Sequence, residues 1–115
     1  MNVEIKSFVG DSCVTSEDGQ RVYDEIYPKL AAGESVCLNF SGARVFASPF
    51  FNFAIGQLLK DLEPENLNQL LKVENITTDG LLVWELVVKN AKEYYKKPGA
   101  KKAIDETLKQ QAEDE

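Results

Sequence analysis

Residues 39–59, NFSGARVFASPFFNFAIGQLL, decide the fold. The apolar run Val36–Phe40 feeds into this stretch, a Ser41–Gly42 turn follows, and a second apolar run begins at Ser48–Pro49. The run Val-Cys-Leu-Asn-Phe is short and rich in β-branched and aromatic residues. Its near-continuous apolar character predicts a central strand covered by helices on both faces. Proline at the first position of a helix gives up no hydrogen bond, so Ser48 is expected as N-cap with Pro49 at that position. Phe51, Ile55, Leu58 and Leu62 then recur on one helical face, widened by Phe50, Phe53 and Leu59. Gly56 inside an exposed helix costs about 1 kcal/mol relative to alanine, so its presence predicts close packing on the sheet.

On the N-terminal side, Val3/Ile5 alternate with Glu4/Lys6, which predicts an edge strand over Val3–Val9. Gly10–Asp11–Ser12 reads as a turn and Cys13–Val14–Thr15 as a short second strand, so the first fifteen residues are expected to form a hairpin. Thr15 or Ser16 can cap the following helix, and Glu17 and Asp18 complement its positive end. Val22, Ile26 and Leu30 form its apolar stripe, with Tyr23 and Tyr27 beside them. Pro28 is expected to kink this helix or end it early, and Gly33 to stop it.

On the C-terminal side, Leu62–Asn68 reads as a break and Leu70–Ile76 as a strand. A crossover helix separates that strand from Val36–Phe40, so the two are expected to be parallel. Thr77–Thr78–Asp79–Gly80 supplies capping oxygens for the longest helix, which runs to about Tyr95. Leu81, Trp84, Val88, Ala91 and Tyr95 are its expected core stripe, flanked by Val83, Val87 and Tyr94. Pro98–Gly99 punctuates, and a last, mostly polar helix is expected over residues 100–112 with a frayed end.

At 115 residues the chain fits a single domain, 1–115, with its core over about 3–96. A net charge of −6 opposes the phosphate backbone, so no nucleic-acid partner is expected. No run of apolar residues is long enough to span a bilayer, and no signal segment is recognisable, so the expectation is a cytoplasmic protein without membrane contact. Cys13 and Cys37 are too few for a disulfide framework and are expected to be reduced, Cys37 in the core and Cys13 more exposed. The chain has no histidine. With no CxxC motif and no convergent carboxylates either, no metal, no cofactor and no catalytic residue is expected.

The element order strand, strand, helix, strand, helix, strand, helix, helix, with a strand ending in Asn39–Phe40–Ser41–Gly42 and a helix opening in Ser48–Pro49–Phe50–Phe51, resembles the STAS domain family. More narrowly it resembles a STAS-like family of unknown function found in bacteria and phages, over about residues 3–96. The resemblance implies an α/β fold with a small mixed four-stranded sheet, helices packed on it, and a C-terminal helix. In the STAS domains that antagonise anti-sigma factors, an Asp-Leu/Phe-Ser-Gly strand end leads to an Asp-Ser-Ser-Gly turn. Its second serine is phosphorylated by a partner kinase. Here Asn39 replaces the first acid, Ala47 replaces the second, Ser48 matches the first serine, and Pro49 stands at the phospho-acceptor position. Ser48 is therefore the candidate phosphorylation site, and these departures argue against a phosphorylation-controlled switch.

Two functions follow as expectations. The leading one is a non-enzymatic regulatory or protein-interaction module. It would bind a partner, such as a kinase-like ATPase or another regulator, through residues 43–53, with Arg44, Phe46, Ser48, Phe50 and Phe51 as contact residues. One helix cannot turn Phe46, Phe50, Phe51 and Phe53 to one core, so part of this aromatic set is expected at the surface, facing a partner or a second copy of the chain. The alternative is a domain that senses a nucleotide or another small anion with the helix N-termini after Ser48 or Thr78. No glycine-rich phosphate loop accompanies it.

Overall fold

The computed structural model describes residues 1–96. The expected helix at 100–112 lies outside the described residues. In chain order the elements are β1 (Asn2–Glu4), α1 (Ile5–Val9), β2 (Ser12–Cys13), α2 (Ser16–Ala31), β3 (Val36–Asn39) and β4 (Val45–Phe46). Then come α3 (Ser48–Ala54), a 3-10 segment (Gly56–Lys60), α4 (Pro64–Leu70), β5 (Leu71–Glu74) and α5 (Thr78–Lys96).

β3 is the central strand, flanked by β1 and β5 with both pairings parallel. The register aligns Val3 with Leu38 and Val73, and Glu4 with Asn39 and Glu74. The predicted parallel relation of β3 and β5 is therefore present. A separate two-stranded ladder pairs β2 with β4, also in parallel. The fold is α/β as expected, but its strands form two parallel ladders rather than one mixed four-stranded sheet.

The expected N-terminal hairpin is absent, since β1 and β2 pair with different strands. β3 offers only four residues, and β1 runs out of partner at Glu4 opposite Asn39. The chain then coils into α1, which seats the fully buried Ile5. Nor do the described residues cover β3 on both faces. Val3, Val36, Leu38 and Leu71 are buried on the side of the helices, while Asn2, Glu4, Lys72 and Glu74 on the other side are exposed. That arrangement reverses the expectation for the two thiols: Cys37 faces the open side and is half-buried, whereas Cys13 is buried in the core.

The helices follow from capping and stripe. Thr15 caps α2 by accepting a bond from the Asp18 N–H at 3.1 Å. Val22, Ile26 and Leu30 are all buried. Pro28 sits inside the helix without ending it, because only one turn remains and the proline is exposed. Gly33, at φ 83°, closes the helix: its N–H reaches the Leu30 carbonyl and the Glu34 N–H reaches the Lys29 carbonyl. The segment expected to be a break contains α4, with Pro64 in its first turn.

α5 seats most of its expected stripe: Ala91 is buried and Trp84, Val88 and Tyr95 pack half-buried against the core, while Leu81 is exposed and the flanking Val87 is buried, a slight turn of the helix toward Val87. Two close approaches fix this rotation. The Phe46 ring rests on Gly80, where an added Cβ would lie 2.9 Å from two ring carbons. Gly56 lets Val87 approach to 3.3 Å of where its Cβ would stand, so this glycine serves the contact with α5 rather than with the sheet.

Candidate functional site

The turn between β3 and α3 is built at the carboxyl ends of the parallel strands. The Phe40 N–H donates to the Glu74 carbonyl at 2.9 Å, extending the ladder by one bond. Asn39 Oδ1 accepts from the Ser41 N–H at 2.9 Å and from Asn75 Nδ2 at 3.1 Å, so one amide ties together the loops after β3 and β5. Gly42, at φ 85°, occupies a backbone conformation that a side chain would disfavour, and Lys6 lies along it.

β4 then holds the turn in place. The Arg44 and Val45 N–H groups both donate to the Asp11 carbonyl, at 2.9 and 3.3 Å, and the Ala47 N–H donates to the Cys13 carbonyl at 3.0 Å. The Arg44 guanidinium is 3.8 Å from the Asp11 carboxylate, with both side chains well exposed. An ion pair in that setting contributes little. Val45 is 52% exposed.

The aromatic residues do not form a surface patch. Phe50 and Phe51 are 1% and 0% exposed, and Phe46 and Phe53 are half-buried. The reason is that α3 has two neighbours, not one. Toward α2, Gly19 lets the backbone of Phe50 and the Cβ of Phe53 come close. Toward α5, Phe51 stacks on Phe46 with ring centroids 5.9 Å apart and meets Trp84 edge-on at 5.7 Å. Phe40 completes the cluster, 6.0 Å from Phe51 and 6.4 Å from Trp84. Phe50 and Phe51 are thus core residues and are withdrawn from the contact set, leaving Arg44, Ser48 and the outer edge of Phe46.

Ser48 is exposed but does not cap α3. The β2–β4 ladder carries extended backbone as far as Ala47, at φ −143° and ψ 152°, so Ala47 takes the N-cap position and Ser48 the first helical one. At α5 the capping role expected of the threonines is present: Thr77 Oγ1 accepts from the Gly80 N–H at 3.1 Å.

A protein family described as a STAS-like domain of unknown function (DUF4325) matches residues 18–81, more than half of the chain. The chain belongs to this family. The STAS-like match runs from the first turn of α2 to the first turn of α5 and takes in the whole strand-to-helix turn. No curated protein and no solved structure matches the chain. Among the described residues of this STAS-like domain, no group of three or more Cys, Asp or Glu is placed to hold a metal ion, and no helix is long and apolar enough to cross a membrane.

The exposed Val45 beside Arg44 was missed in the sequence. Its only signal was a β-branched residue next to a charge in a loop, which is too common to single out.

Proposed function

We propose that this STAS-like domain is a non-enzymatic regulatory or protein-interaction module that engages a partner protein through the turn at residues 43–53. The observation that carries the reading is the exposed pair Arg44–Val45 on a backbone already pinned to Asp11 and Cys13. A cationic and an apolar side chain on a pre-ordered ledge bind with little further loss of backbone entropy. Because the Asp11 carboxylate is held so weakly, a partner carboxylate replaces it on Arg44 at small cost. The matching partner surface is acidic with an apolar centre, and a kinase-like ATPase or another regulator remains the class that the STAS resemblance suggests. Ser48, exposed at the start of α3, belongs to the same surface, and a phosphate there would sit favourably against the helix N-terminus.

The anion-sensing alternative has less support. The Gly80 N–H at the start of α5 is already occupied by Thr77, and α3 has only seven residues and a proline in its first turn.

The test compares the wild-type chain with Arg44→Glu and Val45→Asp variants in affinity purification from the source cell, followed by mass spectrometry. Loss of the same specific protein from both variants, with unchanged circular dichroism and melting, is expected. Equal recovery with all three baits removes the turn as the binding surface.

A further inference from the structure

Among the described residues β5 is an edge strand, paired with β3 on one side only. In a parallel pair the N–H and C=O of alternate residues point to the same neighbour. The Glu74 carbonyl is bound by the Phe40 N–H, so Lys72 and Glu74 direct their backbone groups toward β3, and Val73 directs its N–H and C=O away from it. Among the described residues neither of these Val73 groups has a partner.

The residues around Val73 are self-complementary. One step to either side lie Lys72 and Glu74, both exposed on the open face of the sheet. Beyond them the strand ends, in α4 at Leu70 and at the left-handed Asn75 (φ 57°), so the pairing segment is short and centred on Val73. A two-fold axis through Val73 in an antiparallel pair would set Lys72 opposite Glu74 of the second copy, twice. The two Val73 residues would exchange N–H and C=O as one closely spaced pair. Parallel pairing would instead set lysine on lysine and glutamate on glutamate.

A lone lysine on an edge strand ordinarily discourages pairing. Here Glu74, on the same face, converts that repulsion into attraction for the antiparallel arrangement alone. Among the described residues neither side chain is in an ion pair, and Lys72 only reaches the Asn68 carbonyl at 3.3 Å. The opposite edge has no such symmetry: about Val3, the flanking Asn2 and Glu4 offer no opposite charges.

We propose that β5 pairs antiparallel with β5 of a second copy of this chain, joining two three-stranded sheets into one two-fold-symmetric sheet. An isologous contact of this kind closes on itself.

The test is sedimentation equilibrium of the full chain with a charge-swap series. The wild type is expected to show a concentration-dependent dimer that weakens with salt. Lys72→Glu, which makes both cross-strand pairs repulsive, should weaken dimerisation by about tenfold or more, as should Glu74→Lys. The double swap Lys72→Glu/Glu74→Lys restores both attractive pairs and should recover the dimer. A wild type that is monomeric up to roughly millimolar concentration overturns the proposal. So does a dimer indifferent to the single changes, or a double swap that stays as weak as the single variants. Recovery in the double swap cannot arise from damage to the fold, because damage accumulates rather than cancels.

Discussion

Gly19 is the residue on which the seating of α3 depends. An alanine Cβ there would fall on the Phe50 carbonyl oxygen and within 2.9 Å of the Phe53 Cβ, so the two helices would have to part. Gly19→Ala is expected to lower stability by about 2 kcal/mol despite the better helix propensity of alanine, seen as a lower urea midpoint at unchanged slope. An unchanged midpoint would mean that α2 and α3 are not in close contact there. Cys13 gives a pH signature. Burial, followed by the nearby Asp18 and Asp11 charges, pushes its thiol from 9.0 up to about 12. Between those values the unfolded chain releases the proton and the folded chain keeps it. The stabilisation is therefore complete below pH 9 and is lost as pH rises toward 12, at about 1.4 kcal/mol per pH unit. Burial raises Cys37 and Tyr23 in the same direction. A Cys13→Ala variant should show a shallower alkaline decline in urea titrations, and an identical decline would place the effect elsewhere. At this scale the sequence misleads in an instructive way. Cys37 reads as core because its strand neighbours are apolar, but which strand face is covered depends on helices that the strand residues do not encode.

Among the elements, α3 begins without a capping side chain, and this suggests a repair. Ala47 has the extended backbone of an N-cap, and Pro49 has no N–H to offer, so a hydroxyl at position 47 would serve the Phe50 N–H. Ala47→Ser is expected to stabilise the domain by about 1 kcal/mol in thermal or urea unfolding. A loss instead would show that the half-buried site has no room for the oxygen. The boundaries and capping of α2 were legible because its stripe runs through four turns and Thr15 stands where a cap belongs. α4 was not, since its proline and asparagines read as breakers. Yet proline after Glu63 is a permitted helix start, and Leu67 and Leu70 lie three residues apart on it. Most of the α5 stripe was legible, but the inward seating of Val87 in place of Leu81 was not: apolar residues surround more than half the helix, and the contacts at Gly80 and Gly56 choose among them. Leu82 and Leu86, 61% and 57% exposed, are the residues left outside by that choice.

For the whole molecule, the succession α2, β3, α3, β5, α5 and the parallel crossover were readable, because a helix-length apolar segment between two strands permits little else, whereas α1, β4 and α4 were not. The division into two ladders was not. β2 and β4 have two residues each, too few for any periodicity, and they exist because the chain on either side brings them together. The turn at residues 43–53 owes its order to that small ladder, which joins the N-terminal segment to the family-matched core. The aromatic cluster at this junction includes Trp84, the sole tryptophan of the chain, set edge-on to rings from both the β3 end and α3. The protein therefore carries its own optical gauge. Excited selectively, the indole should emit at short wavelength in the native state and shift to the red once α5 lifts from the turn, with no label attached. A partner that grips residues 43–53 without disturbing the packing beneath should leave that colour unchanged, whereas one that pries the turn open should announce itself in the spectrum.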